Sequence, residues 1–147
     1  MEQIIRPQLE LSTRCACGSV SVSIVGRIYA MLLCSCEDCQ KATGTGHSAV
    51  AFANANNVAV DGPIKAFART ANSGATFTRH FCPECGTPLF GKSSRAQRFT
   101  MLPVGLFGKD TDWFVPSQLI FARSHREWDV LPEDLVQHQA YREDSGL

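Results

Sequence analysis

Arg14-Cys15-Ala16-Cys17-Gly18-Ser19-Val20-Ser21-Val22-Ser23-Ile24-Val25 carries the two signals that decide this chain. Apolar Val20, Val22 and Ile24 alternate with Ser19, Ser21 and Ser23. Successive side chains of a strand point to opposite faces, so strict alternation reads as a half-buried β-strand. Directly before it stand two thiols, Cys15 and Cys17, followed by Gly18. Two thiols that close together can point at one centre, so the pair reads as part of a metal site.

Period two dominates the rest of the chain. Residues 9–14 alternate more weakly, and 29–33 form a short apolar run that leads into further cysteines. Strands are expected at 47–53, 57–60, 65–69, 76–81, 89–92, 97–102 and 118–122. Asp61-Gly62-Pro63 and Asn72-Ser73-Gly74 are turn signals between them. Helix is scarce. One short piece is expected at 37–43, stopping at Gly44, and a turn after Pro132, with Glu133 and Asp134 near its positive end. Many short strands with regular turns predict an all-β fold, a folded sheet or sandwich with very little helix. At 147 residues, with no repeat or linker, the chain is expected to form a single domain, 1–147.

All seven cysteines fall in three clusters: Cys15-Ala16-Cys17-Gly18, Cys34-Ser35-Cys36-Glu37-Asp38-Cys39 and Cys82-Pro83-Glu84-Cys85-Gly86. Seven divides as four plus three. Four thiolates close a structural zinc site, whereas three leave one position open, as in a catalytic zinc. Cys17 and Cys85 each precede a Gly. A zinc knuckle turns sharply as it leaves its second ligand, and Gly tolerates the positive φ this often needs. The two Cys-Gly half-sites therefore look alike and are candidates to share one metal. That metal would pin together segments 64 residues apart, at a closure entropy that grows only slowly with length. Cys39 runs on into Gln40-Lys41-Ala42, the start of a helical turn, so the middle cluster reads as a different site. Spacing also permits Cys15 and Cys17 to join two of the middle thiols.

Disulfides are the competing use of cysteine. An odd count leaves one thiol over, and a bridge from Cys15 to Cys17 would be strained. Met1 to Pro7 holds no apolar run of signal-peptide length, and no later run is long enough for a spanning helix. A cytoplasmic location is expected, with no membrane partner. Thiols stay reduced there, and clustered ones bind metal. The formal net charge is zero. Seven thiolates (−7) holding two Zn²⁺ ions (+4) would bring it to −3. Lys and Arg are scattered rather than gathered into a basic stripe, which argues against a nucleic-acid partner. The oligomeric state leaves no mark on the sequence.

Together, Cys15-x-Cys17-Gly18, Cys34-Ser-Cys36-Glu-Asp-Cys39-Gln-Lys-Ala-Thr-Gly44 and Phe81-Cys82-x-x-Cys85-Gly86 resemble the glutathione-dependent formaldehyde-activating enzyme family, which includes centromere protein V. Pro116-Ser-Gln-Leu-Ile-Phe-Ala-Arg123, Trp128 and Leu131-Pro132 are similar to that family's C-terminal pattern, so the likeness spans 14–138. It implies a β-tent fold of folded antiparallel sheets with zinc knuckles. It implies two Zn²⁺ per chain: a structural zinc on Cys15, Cys17, Cys82 and Cys85, and a catalytic zinc on Cys34, Cys36 and Cys39. Ser35 and Glu37 stand where His and Ser or Asp are frequent in the family; neither departure removes a ligand. The implied activity is a carbon–sulfur lyase, or thiol–aldehyde adduct enzyme. Its partners would be a small thiol, glutathione in the first place, and a small aldehyde such as formaldehyde.

A three-thiolate zinc suits the binding of one more thiol, whose pKa it lowers. Cys34, Cys36 and Cys39 would then be ligands, and the substrate's sulfur the nucleophile. His47 is a candidate proton shuttle or a polar residue at a strand start. His80 is a candidate hydrogen-bond partner of a thiolate or of the backbone. Arg79, Arg95 and Arg98 are candidates to meet glutathione's carboxylates, or solvated surface. Glu84 reads as exposed and Trp128 as a packing residue. Two other functions compete with the enzyme. One is a non-catalytic zinc-binding interaction module, its middle site completed by His47 or by a partner's residue. The other is a thiol redox sensor built on the middle cysteines. The occupant of the fourth coordination position discriminates among them.

Overall fold

The protein is described here from a computed structural model covering residues 5–141; the expected domain, 1–147, runs past the described residues at both ends. Strand β1 (Gln8–Arg14) turns through the first cysteine pair into β2 (Ser21–Cys34), the longest element. Helix α1 (Glu37–Thr43) follows, then β3 (Ser48–Asn54), β4 (Val58–Asp61), β5 (Lys65–Thr70), β6 (Thr76–Phe81), β7 (Pro88–Ser93), β8 (Phe99–Pro103), β9 (Gln118–Ile120) and β10 (Val136–Gln137). The fold is mostly β, with one α-helix among the described residues.

The two strands expected at 19–25 and 29–33 are one. The first half of β2 pairs antiparallel with β1, Leu11 opposite Ile24, and with β4, Val60 opposite Val22. Its second half pairs antiparallel with β3, Leu32 opposite Val50, and parallel with β9. Two sheets therefore share β2, which folds one against the other as in the folded sheets of the β-tent that the resemblance implied. Gly26 marks the changeover. A Cβ there would lie 2.6 Å from Asn57 Cγ, so only Gly lets the chain pass. The pairing with β3 then shifts register between Ile28 and Ala30. The larger sheet runs β10-β9-β2-β3-β8-β7-β6-β5. It is mixed: β9 lies parallel to both its neighbours and the remaining pairs are antiparallel.

Burial follows the alternation. Val20, Val22 and Ile24 are fully buried, together with Ile28, Ala51, Ala53, Leu89 and Leu102 in the main core. The unbroken apolar run at the end of β2 has a different cause: both of its faces are covered. Met31 joins the main core, Leu33 packs with Leu119 and Leu135, and Leu32 and Cys34 face a second cluster containing Phe52 and Phe121. The main core fixes the sheets, and the opposite face of the larger sheet is left to carry the second cysteine group.

Candidate metal centre

The first and last cysteine pairs sit on matching turns. Between β1 and β2, the Gly18 amide donates to Cys15 O (2.9 Å) and the Cys15 amide to Val20 O (2.9 Å). Between β6 and β7, the Gly86 amide donates to Cys82 O (2.8 Å) and the Cys82 amide to Thr87 O (3.0 Å). Gly18 has φ 83° and Gly86 φ 77°, the left-handed region that the knuckle expectation required. The Ala16 amide ties the turns together by donating to Thr87 Oγ1 (3.1 Å).

The four sulfurs of Cys15, Cys17, Cys82 and Cys85 lie within 4.8 Å of one another. Zinc–sulfur bonds of about 2.3 Å give tetrahedral S···S edges of about 3.8 Å. Cys15–Cys17 at 3.6 Å and Cys17–Cys82 at 3.7 Å suit an ion of that size. The grouping of Cys15 and Cys17 with middle thiols, which spacing left open, is not the one the fold assembles. Cys85 is lowered to about 5, first by the Thr87 hydroxyl, so one thiol of the set is already poised to ionise. Cys15 and Cys82 are buried, Cys17 and Cys85 exposed.

The middle cluster is built differently. Cys34 ends β2, Cys36 is the N-cap of α1, and Cys39 lies one turn into that helix. The Cys39 amide donates to Cys36 Sγ (3.3 Å), the bond an N-cap side chain normally accepts. A helix of seven residues cannot stand alone. Gln40 anchors it: its Nε2 donates to Ser35 O (2.8 Å) and Ser124 O (3.0 Å), while its Oε1 accepts from Arg126 Nε (3.2 Å). The Ser35 amide donates in turn to Ile120 O (3.1 Å), which fixes the loop holding Cys34 and Cys36.

These three sulfurs also lie within 4.8 Å of one another, and Cys34 and Cys36 are buried. Hydrogen bonds from Cys34, then Cys39, hold Cys36 down to about 2, and the charge of Arg69 adds to this. Cys34 is raised, first by that same contact with Cys36. At Cys39 the contact with Cys34 lowers and those with Cys36, together with burial, raise, for a result of about 11. The mutual contacts thus favour negative charge on Cys36 over Cys34 and Cys39. A cation able to accept three soft ligands would take the place of the protons on these thiols.

A cavity of about 600 Å³ opens over the middle cluster, and Cys34, Cys36 and Cys39 form part of its lining. None of the four knuckle cysteines lines it. Its walls come from the face of the larger sheet opposite the main core, through Leu32, Val50, Phe52, Met101 and Phe77, with Phe121 from the segment after β9. Phe121 holds φ 56°, a conformation that costs a bulky residue about 1–3 kcal/mol. Its amide donates to Ala140 O (2.9 Å) and its ring packs edge-on against Tyr141 at 4.8 Å, contacts that hold it there.

Of the helpers expected from sequence, Arg79 lines the cavity. Arg95 and Arg98 are exposed and outside it, Arg98 resting over Phe99 at 4.7 Å. His47 is also outside it: its Nδ1 donates to Asp129 Oδ2 (2.7 Å), an attachment of the C-terminal segment rather than a position beside the thiols. His80 stacks flat on Phe90 at 4.2 Å, and burial lowers its pKa, so it is held neutral. Glu84 is exposed as expected. Trp128 is not a packing residue. It is 66 % exposed, because the turn that carries it is anchored by buried Asp129 instead. Arg69 escaped the sequence reading. It lines the cavity, meets Asp38 Oδ2 at 3.3 Å and lies over the Phe77 ring at 4.9 Å. Its only signal was a place in a strand whose partner, β6, also supplies Phe77 and Arg79.

Residues 10–124 match the family model described as glutathione-dependent formaldehyde-activating enzyme. The chain belongs to this family. The matched stretch contains all seven cysteines of the two centres. Among solved structures, a crystal structure of a Rhodobacter sphaeroides protein superposes with a TM-score of 0.54 at 14 % identity, covering 67 % of this chain and 89 % of that one. At that identity the likeness speaks for the fold. Family membership brings an association with formaldehyde adducts and glutathione, and the two cysteine clusters are able to hold metal ions. No helix among the described residues is long and apolar enough to cross a membrane.

Proposed function

We propose that this chain, as one domain over 1–147, is a cytoplasmic zinc-dependent carbon–sulfur lyase that makes or breaks an S-hydroxymethyl thiol. In this reading Cys15, Cys17, Cys82 and Cys85 hold a structural zinc. Cys34, Cys36 and Cys39 hold a catalytic one. The observation that carries it is the asymmetry between the two groups: the set of three faces a cavity and the set of four does not. Three thiolates with room beside them leave a coordination position for a ligand from outside.

Zinc bound there supplies acidification of an incoming thiol, whose sulfur becomes nucleophilic near neutral pH. The protein's own contribution is to hold and to exclude. Gln40 and Ser35 keep the three cysteines converged. The apolar walls limit water around the reacting atoms. In the forward direction the thiol sulfur bonds to the aldehyde carbon as the carbonyl π bond opens. The thiol's proton ends on the new hydroxyl oxygen. The reverse breaks the same carbon–sulfur bond, with no oxidant or reductant required. Glutathione is the thiol that the family's description supplies, and formaldehyde the aldehyde.

The test is the rate of S-hydroxymethyl thiol formation from formaldehyde and a thiol with the zinc-loaded protein. The wild type is expected to accelerate it and Cys36→Ser to lose the gain while remaining folded. Equal rates for wild type, Cys36→Ser and buffer, across several thiols, would leave the interaction module as the better reading.

A further inference from the structure

The cavity wall gives chemical detail about the thiol. Phe77 and Arg79 are two residues apart on β6, so both face the same side of the sheet, and both line the cavity. Across the ladder, Phe77 faces Arg69 and Ser93, and Arg79 faces Gly91. A Cβ on Gly91 would lie 2.6 Å from Phe77 Cζ, so the Phe77 ring occupies the space above Gly91 that a side chain would take. Phe52, Phe121, Tyr141 and Met101 continue this wall. It offers an aromatic and thioether surface to whatever group hangs from the sulfur.

Several polar groups on the wall are already engaged, whereas Ser48 Oγ and Arg69 Nε are buried without a hydrogen-bond partner among the described residues. Asp38 is the wall's only carboxylate among the described residues, and it is bound to Arg69. The Thr43 hydroxyl donates to Cys39 O at 2.9 Å. Tyr141 Oη accepts from the Ser73 amide at 3.3 Å, and Ser73 and Ser93 Oγ accept from Ala75 and Arg95 amides. Arg79 has no ion-pair partner among the described residues. With Arg69 and Asp38 cancelling, Arg79 is left as the unpaired cation of the wall, apart from the cysteines of the metal centre.

Glutathione is poorly matched to such a surface. It carries two carboxylates, an ammonium and two amides, and each polar group buried without a partner costs about 1–3 kcal/mol. Its ammonium would compete with Arg69 for Asp38. We propose that the preferred thiol has an apolar, aryl-containing body and a single carboxylate, with the ring against Phe77 and the carboxylate on Arg79. This rests on the reading of the cavity as a thiol site.

Isothermal titration of the zinc-loaded protein with four thiols separates the two ideas. The probes are 2-mercapto-3-phenylpropanoate, 2-phenylethanethiol, 3-mercaptopropanoate and glutathione. The first is expected to bind at least tenfold more tightly than each of the others. Arg79→Gln is expected to bring it level with 2-phenylethanethiol without changing the latter. Phe77→Leu is expected to narrow its lead over 3-mercaptopropanoate, and this variant keeps an apolar side chain above Gly91 so that folding is retained. Glutathione binding as tightly as the aryl carboxylate, or loss of binding spread equally over all four thiols in Arg79→Gln, overturns the inference while leaving the thiol site in place. No heat with any of the four overturns both.

Discussion

Single residues divide the seven cysteines into two kinds of work. Cys82 and Cys85 leave β6 on a knuckle bound to the β1–β2 turn. A metal on this set joins strands far apart in the chain, and its binding energy enters folding directly. Cys85→Ser is expected to cost about 5 kcal/mol or more, which for a chain of this size lowers Tm by about 10–20 °C. Cys36→Ser keeps an N-cap acceptor, its hydroxyl oxygen standing where Sγ accepts from the Cys39 amide, and is expected to cost about 1 kcal/mol or less. Thermal melts of the zinc-loaded variants compare the two; equal losses would dissolve the division. The two glycines that follow Cys17 and Cys85 made the half-sites look alike in the sequence, because positive φ is a requirement few other residues meet, but spacing left a grouping with the middle thiols open, and only the fold brings the four sulfurs together. Arg69 was not readable, since nothing local distinguishes an arginine over a cavity from one in solvent.

At the scale of elements, α1 was legible at both ends, from the acidic pair after Cys36 to Gly44, whose amide donates to Gln40 O at 2.9 Å. Its anchoring was not. Gln40 reaches Ser124, a partner 84 residues away that only the folded chain brings near. Gln40→Ala is expected to leave Tm within a few degrees but to weaken metal binding at the middle cluster about 10- to 100-fold, as loss of a group orienting metal ligands does. Competition with a chromophoric chelator measures it, and an unchanged affinity would mean the helix is positioned by packing alone. The apolar run before Cys34 concealed a continuity of a similar kind. Residues 19–25 and 29–33 read as two strands because their patterns differ, yet they are one strand passing from a sheet with an exposed face to one covered on both.

Across the whole molecule, the all-β class followed from period two repeated along the chain, and the cysteine order identified the family. The parallel placement of β9 left no trace, since pairing direction is set by how the chain returns rather than by any residue in the strand. The cavity was equally hidden, being assembled from helix α1 and strands β2, β3, β5, β6, β7, β8 and β9 together. With two centres of unequal closure, graded chelation is expected to remove metal in two steps. The three-thiol centre should empty first with the fold intact, and unfolding should accompany only the second step. Elemental analysis alongside circular dichroism would follow both. Simultaneous loss of the two metals with unfolding would contradict the inequality.

The central claim is that the centre of Cys34, Cys36 and Cys39 accepts a sulfur ligand from solution while that of Cys15, Cys17, Cys82 and Cys85 does not. Replacement of zinc by cobalt makes this visible, because each thiolate on cobalt adds charge-transfer absorption in the near ultraviolet. Titration of the two-cobalt protein with a small thiol is expected to raise this absorption by the increment of one thiolate per chain, and Cys36→Ser is expected to abolish the rise. A spectrum indifferent to every thiol tried, or a rise that persists in Cys36→Ser, would contradict the account.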